Sequence, residues 1–231
     1  MDEHGAITRG DISKKQIALV FTGDEFADGG TIIADVLKKN NVKASFFLTG
    51  NFYRTPAFNS VIRRLKSDGH YLGAHSDRHL LYADWTKRDS LLVTKKQFMK
   101  DLNKNYKRMK AFGVRKTDAP YFLPPYEWYN KSIARWTAEM DLTLVNFSPG
   151  TRSAADYTYP GMSNYKTSEE IYNSVMNYEK EEPTGLNGFI LLTHIGSDNR
   201  RPDKFYLKLD ELINALKDKG YSLTTLQQLL Q

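Results

Sequence analysis

Gly69-His70-Tyr71-Leu72-Gly73-Ala74-His75-Ser76-Asp77-Arg78-His79 sets two imidazoles, His75 and His79, four residues apart directly after a short apolar run. Tyr71 to Ala74 reads as a buried strand, so His75 falls at its carboxyl end. One helical turn beyond would bring His79 back to the same point. Two neutral imidazole nitrogens on one side of a loop begin a zinc site, which then needs a third protein ligand and an open position. Two surface histidines in a polar turn would show the same spacing, so the surroundings must separate the two readings.

Outward from this stretch, short apolar runs alternate with helical patterns. Gln16 to Thr22, Ala44 to Thr49, Tyr71 to His75, Ala119 to Leu123, Leu142 to Phe147 and Phe189 to His194 read as strands. Between them, Thr31 to Asn40 gathers Ile32, Ile33, Val36 and Leu37, and Phe58 to Ser67 gathers Val61, Ile62 and Leu65, at helical spacing. Repeated alternation of strand and helix means an α/β protein with a parallel sheet or barrel, whose reactive residues collect at the carboxyl ends of strands. Asp24, His75 and His194 each stand at such an end. His70 precedes its strand, on the side away from a reactive face, and reads as structural; His4 lies in the polar lead.

The chain has 231 residues, enough for a sizeable core, and no linker, repeat or low-complexity tract divides it. The expected organisation is an N-terminal lead over 1–14 and one barrel domain over 15–231. Cysteine is absent, which removes disulfides, thiolate ligands and a cysteine nucleophile together. Any metal must therefore use histidine and carboxylate. The net charge of +6 is dispersed over amphipathic helices such as Lys95 to Lys110, as a solvated face would be, and no nucleic-acid module is present. No apolar run is long enough to span a bilayer.

Val42-Lys43-Ala44-Ser45-Phe46-Phe47-Leu48-Thr49-Gly50, the Gly-His-x-x-Gly-x-His-Ser-x-x-His run from Gly69 to His79, and Leu191-Leu192-Thr193-His194 together resemble the polysaccharide deacetylases of the NodB-homology type, the fourth family of carbohydrate esterases. The resemblance runs from about Lys15 to Leu230. It implies a distorted (β/α) barrel of about seven strands and a metal-dependent hydrolase that removes acetyl groups from N- or O-acetylated glycans. It further implies an extracellular or periplasmic location, a polysaccharide or oligosaccharide partner, and a divalent cofactor, zinc first.

By that resemblance His75 and His79 match the histidine ligands. The family's Thr-Phe-Asp-Asp motif, which carries the base and the third ligand, is replaced here by Phe21-Thr22-Gly23-Asp24-Glu25-Phe26. Asp24 is then the third ligand and Glu25 the nearest carboxylate for the base; the opposite assignment, Asp24 as base and Glu25 as ligand, keeps the family's order. The arginine that precedes Pro-Pro-Tyr in the family is Leu123 here, ahead of Pro124-Pro125-Tyr126. A lost base and a lost arginine form a coherent pair, since a buried guanidinium without its carboxylate would be costly. The resemblance also implies that the backbone N–H near Tyr126 is an oxyanion donor, that His194 is the acid, and that Asp156 orients it. Tyr126, Trp128, Tyr157 and Tyr159 are candidates for stacking on sugar faces or for plain packing.

A weakened base would hurt amide substrates more than esters, because an amine departs less readily than an alkoxide. An easier or unusual substrate is therefore one expectation. The altered motifs also leave open a silent glycan-binding module that keeps the metal and cleft, or an amidohydrolase acting on another C–N bond.

Overall fold

The computed structural model describes residues 1–231. Strand β1 (Gln16–Gly23) is buried along nearly its whole length, as expected of a parallel strand covered on both faces. After it come helix α1 (Gly30–Lys39), β2 (Ser45–Leu48), the short α2 (Gly50–Arg54), α3 (Asn59–Ser67) and β3 (Tyr71–Ala74). The second half adds α4 (Lys95–Ala111), β4 (Tyr121–Phe122), α5 (Lys131–Ala138), β5 (Thr143–Leu144), α6 (Ser168–Glu181), β6 (Phe189–His194), α7 (Leu209–Asp218), β7 (Ser222–Thr224) and α8 (Leu226–Leu229).

The strands form one parallel sheet in the order β5-β4-β3-β2-β1-β6. Strand β6 pairs with β1 over Ile17 to Thr22. The remaining edge of β1 is shared: β7 pairs with Gln16 to Ala18 and β2 with Val20 to Gly23. The result is the curled (β/α) barrel of seven strands that the sequence implies. Strand β7 escapes the apolar-run reading because Ser222-Leu223-Thr224 is polar on one face and only partly buried.

The lead closes the gap between the outermost strands. Ile7 pairs with Val145, just past β5, and Arg9 pairs with Phe189 at the start of β6. The Arg9 guanidinium donates to the carbonyls of Asn187 (2.9 Å) and Gly185 (2.7 Å), fixing the segment that feeds β6.

Because every strand runs the same way, their carboxyl ends open on one rim. Register decides which residues meet there: Thr22 stands opposite His194, and Ala74 opposite Phe122, so His75 arrives beside Leu123.

Candidate active site

A cleft of about 520 Å³ opens on that rim. It is lined by Asp24, Glu25, His75, His79, Tyr126 and His194, all expected from the sequence, and also by Thr22, Glu127 and Asp198, which were not. Asp156 lies behind His194, buried at 4% exposure.

Asp24 leaves β1 and meets the amino end of α2. Its Oδ1 accepts from Thr49 Oγ1 at 2.6 Å and Asn51 Nδ2 at 3.0 Å, while Oδ2 faces His79 Nδ1 at 3.9 Å. One carboxylate oxygen is thus anchored and the other is left toward the imidazoles. Thr49 also caps α2 by accepting from the Phe52 N–H (3.1 Å), so one hydroxyl fixes both helix and carboxylate.

His75 Nδ1 lies 2.8 Å from the Leu123 carbonyl, an acceptor only, so Nδ1 carries the proton and Nε2 keeps its lone pair. Burial, with His79 nearby, holds the His75 pKa well below the ordinary value, against the Leu123 hydrogen bond. Burial also lowers that of His79, against the pull of Asp24. Both rings are therefore neutral near pH 7, the state a metal ligand needs. Their centroids are 5.1 Å apart, and His79 packs on Tyr126 at 4.4 Å.

No helical turn joins the two histidines, contrary to the sequence expectation. Ser76 (φ 73°) and His79 (φ 54°) are left-handed, and the His79 N–H donates to Ser76 Oγ at 2.9 Å, so a tight loop returns the second ring. Helix α4 clamps this loop. Asn105 Oδ1 accepts from the His75 N–H (2.9 Å) and Asp101 Oδ2 from the Asp77 N–H (3.2 Å) and the Tyr82 hydroxyl (2.6 Å). Asp77 is itself ion-paired with Arg54 at 2.6 Å, and Gly50 passes so close that a Cβ there would lie 1.9 Å from Asp77 Oδ1. Asp101 and Asn105 are polar residues on the buried, otherwise apolar stripe of α4, a signal legible in the sequence.

The donor set of Asp24, His75 and His79 fits a divalent ion by chemistry: one carboxylate oxygen and two neutral imidazoles. The side chains are not drawn into a ready coordination cluster, since no three His, Asp or Glu groups converge as one. Asp24 and His79 approach each other, with His75 alongside.

Across the cleft, His194 closes β6. Asp156, on the turn Ser153–Tyr157, accepts from His194 Nδ1 through Oδ1 (2.6 Å) and from the His194 N–H through Oδ2 (2.8 Å). Burial presses the His194 pKa down, yet the charge and hydrogen bond of Asp156, with the charge of Glu127, leave it above the ordinary value.

The turn Pro125–Glu127 brings the third wall. Tyr126 (φ 59°) and Glu127 (φ 54°) are consecutive left-handed residues without being glycine. Glu127 and Trp128 donate their N–H groups to Pro124 and Pro125 (3.0 and 3.3 Å), whereas the Tyr126 N–H has no acceptor in the fold. The Thr22 hydroxyl is buried without a partner at the cleft. Glu25, in contrast, is exposed at the rim with no hydrogen bond to its carboxylate. Leu123, standing where the arginine is expected, is fully buried. His70 sits at the far end of its strand, with Nδ1 accepting from the Ala44 N–H at 3.2 Å. Trp85, exposed and not expected from the sequence, joins Tyr126 and Trp128 at centroid distances of 5.8 and 5.2 Å.

Residues 9–145, more than half of the chain, match the model of the polysaccharide deacetylase family. The peptidoglycan-N-acetylmuramic acid deacetylase PdaA of Bacillus subtilis is 27% identical over 233 residues, covering 100% of this chain and 77% of that protein. Among solved structures, the Bc1960 peptidoglycan N-acetylglucosamine deacetylase superposes with a TM-score of 0.78 at 23% identity, covering 99% of this chain and 94% of that one. BA3943 of Bacillus anthracis, a pseudoenzyme of the same esterase family, superposes at 0.77 with 19% identity, covering 100% of this chain and 70% of that one. The chain belongs to the polysaccharide deacetylase family, as a divergent member of the NodB-homology type.

Proposed function

We propose that this protein is a metal-dependent hydrolase that removes acetyl groups from N- or O-acetylated glycans. One observation carries the reading: the Asp156–His194 pair faces Asp24, His75 and His79 across a single cleft. The same fold serves an enzyme and a pseudoenzyme, so the side chains must decide.

Asp24, His75 and His79 would hold a divalent cation, zinc by donor type, which when bound supplies Lewis acidity and brings the pKa of a water toward about 7. His194 carries out the acid step. With Nδ1–H tied to Asp156, its other nitrogen is free for the cleft, and its raised pKa keeps imidazolium available to protonate a departing amine. The Tyr126 N–H, free of any acceptor in the fold, would donate to the oxyanion that develops on the acyl oxygen, a contact whose loss costs about 10²–10³ in rate in hydrolases.

The glycan substrate fits an extracellular or periplasmic protein, and no helix is long and apolar enough to cross a membrane. Release of acetate from N-acetylglucosamine oligomers, acetylated xylan and an aryl acetate, by the metal-loaded chain and by His194→Ala, tests the reading. Acetate release that His194→Ala loses supports it. Glycan binding with no acetate from any substrate would make the chain a silent module, the alternative that the missing arginine favours. Ammonia or a ring-opened product instead of acetate would place it among amidohydrolases.

A further inference from the structure

Water attack on an acyl carbon needs a group to take the water's proton, and the cleft holds several carboxylates. Resting on the deacetylase reading, we propose that Glu127 is the general base, the role the sequence assigns to Glu25.

The other carboxylates are committed. Asp24 is anchored by Thr49 and Asn51 on one oxygen and turned to His79 with the other. Both oxygens of Asp156 are taken by His194. Asp198 accepts from the Arg200 N–H (2.8 Å) and from its guanidinium (2.9 and 2.5 Å), contacts that hold its pKa at about 2. Glu25 is exposed at the rim, and no hydrogen bond or ion pair fixes its carboxylate over the cleft. Glu127 alone lines the cleft part-buried, with no hydrogen bond or ion pair on its carboxylate.

Its backbone shows that the position is imposed. Left-handed φ at two adjacent non-glycine residues costs about 1–3 kcal/mol each, and such strain persists only where surrounding structure enforces it. Here the enforcing bonds are Glu127 N–H to Pro124 O (3.0 Å) and Asn146 Nδ2 to Glu127 O (2.9 Å). The turn presents the free Tyr126 N–H and the Glu127 carboxylate as adjacent elements of one wall.

The chemistry of the site agrees. Burial, reinforced by Asp156 and opposed by His194, pushes the Glu127 carboxyl up to about 7, where a base is efficient at neutral pH. Beyond these two, the titratable groups lining the cleft are Asp24, Glu25, His75, His79, Tyr126, Tyr157, Tyr159 and Asp198; no lysine or arginine lines it. In the forward step the water oxygen bonds to the acyl carbon, the carbonyl π pair moves to oxygen, and one water proton goes to Glu127. As the C–N bond breaks, its electron pair goes to nitrogen, which takes the His194 proton. Proton return from Glu127 to His194 then restores both groups, and the products are acetic acid, which ionises, and the free amine.

The test compares the metal-loaded wild type with Glu127→Gln, Glu127→Asp, Glu127→Ala and Glu25→Gln in acetate release across pH. Glu127→Gln should lower kcat by about 10²–10⁴ with KM within about threefold, and lose the acidic limb near pH 7. Glu25→Gln should stay within about threefold of wild type. Glu127→Asp should keep the acidic limb at reduced kcat, and formate should restore part of the activity of Glu127→Ala, which a merely structural role would not produce. Wild-type activity with an unaffected Glu127→Gln, or with Glu25→Gln as the crippled variant, would overturn the assignment while leaving the deacetylase reading intact. No acetate from the wild type on any glycan would overturn both.

Discussion

Asp156 grips His194 twice, through Oδ1 to Nδ1 at 2.6 Å and through Oδ2 to the backbone N–H at 2.8 Å. The double contact fixes the tautomer, the ring plane and the strand end together. Its charge and hydrogen bond also outweigh burial in setting the His194 pKa above the ordinary value.

Asp156→Asn removes that charge while preserving size. The His194 pKa then falls, the imidazolium needed for amine departure is lost at a lower pH, and the alkaline limb of kcat moves down the pH scale. At neutral pH kcat should drop by about 10²–10⁴, the usual worth of a positioned acid. An aryl acetate, whose leaving group needs no proton, should lose much less. Equal losses on both substrates would mean that Asp156 only supports the fold.

The strand-end residues Asp24, His75 and His194 were legible because a parallel sheet gathers its carboxyl ends, and local pattern reveals where each strand stops, whereas Tyr126 was legible only through the Pro-Pro-Tyr resemblance. Asp156 was only weakly legible. It lies in the loop 146–162, where no periodicity fixes a side chain, and only the close contact of its turn with β6 sets its partner. Glu127 shows no signal in pattern either, since its direction depends on two left-handed residues that neither Tyr126 nor Glu127 announces by type. The loop from Ser76 to His79 misleads for the same reason: spacing alone cannot separate a helical turn from a left-handed return.

Strand ends were less legible than strand cores. The runs Ala119 to Leu123 and Leu142 to Phe147 pair only over Tyr121–Phe122 and Thr143–Leu144, and just past that ladder Val145 bridges to Ile7 of the lead. An apolar run reports burial, and here burial outlasts the ladder.

Zinc titration of the chelator-treated chain should give one tight site, absent in His75→Ala and Asp24→Asn. Asn105→Ala leaves every proposed ligand side chain in place, yet it removes the acceptor of the His75 N–H and the link to the Leu48 carbonyl (3.1 Å). Loss of such support costs about 10–100-fold in metal affinity. Calorimetry that finds unchanged affinity in Asn105→Ala would show the loop to be held without α4.

Trp85 is 53% exposed, and with Tyr126 and Trp128 it forms an aromatic edge beside the cleft. The Arg88 guanidinium lies 3.9 Å from the centre of the Trp128 ring, which braces the edge from behind. Trp85→Ala should raise KM severalfold for oligomers long enough to lie across the edge, leaving kcat nearly unchanged and a monosaccharide unaffected. A fall in kcat with constant KM would place Trp85 in the chemistry instead.

Glu127 also makes a prediction that needs no substrate. Its carboxyl titrates at about 7 in the fold and near about 4.3 in an unfolded chain, burial being the main cause. Between those values the folded state holds the extra proton, so its contribution to stability falls as pH rises and is lost once the carboxyl ionises. Glu127→Gln has no proton to lose. Relative to wild type, the metal-free variant should gain on the order of 2 kcal/mol at pH 8 and nothing from this source at pH 4. Part of the gain is offset, because Glu127 also helps keep His194 charged. Urea unfolding of both chains at the two pH values reads the difference, and a gain over wild type no larger at pH 8 than at pH 4 would mean that Glu127 is not held in a desolvated place.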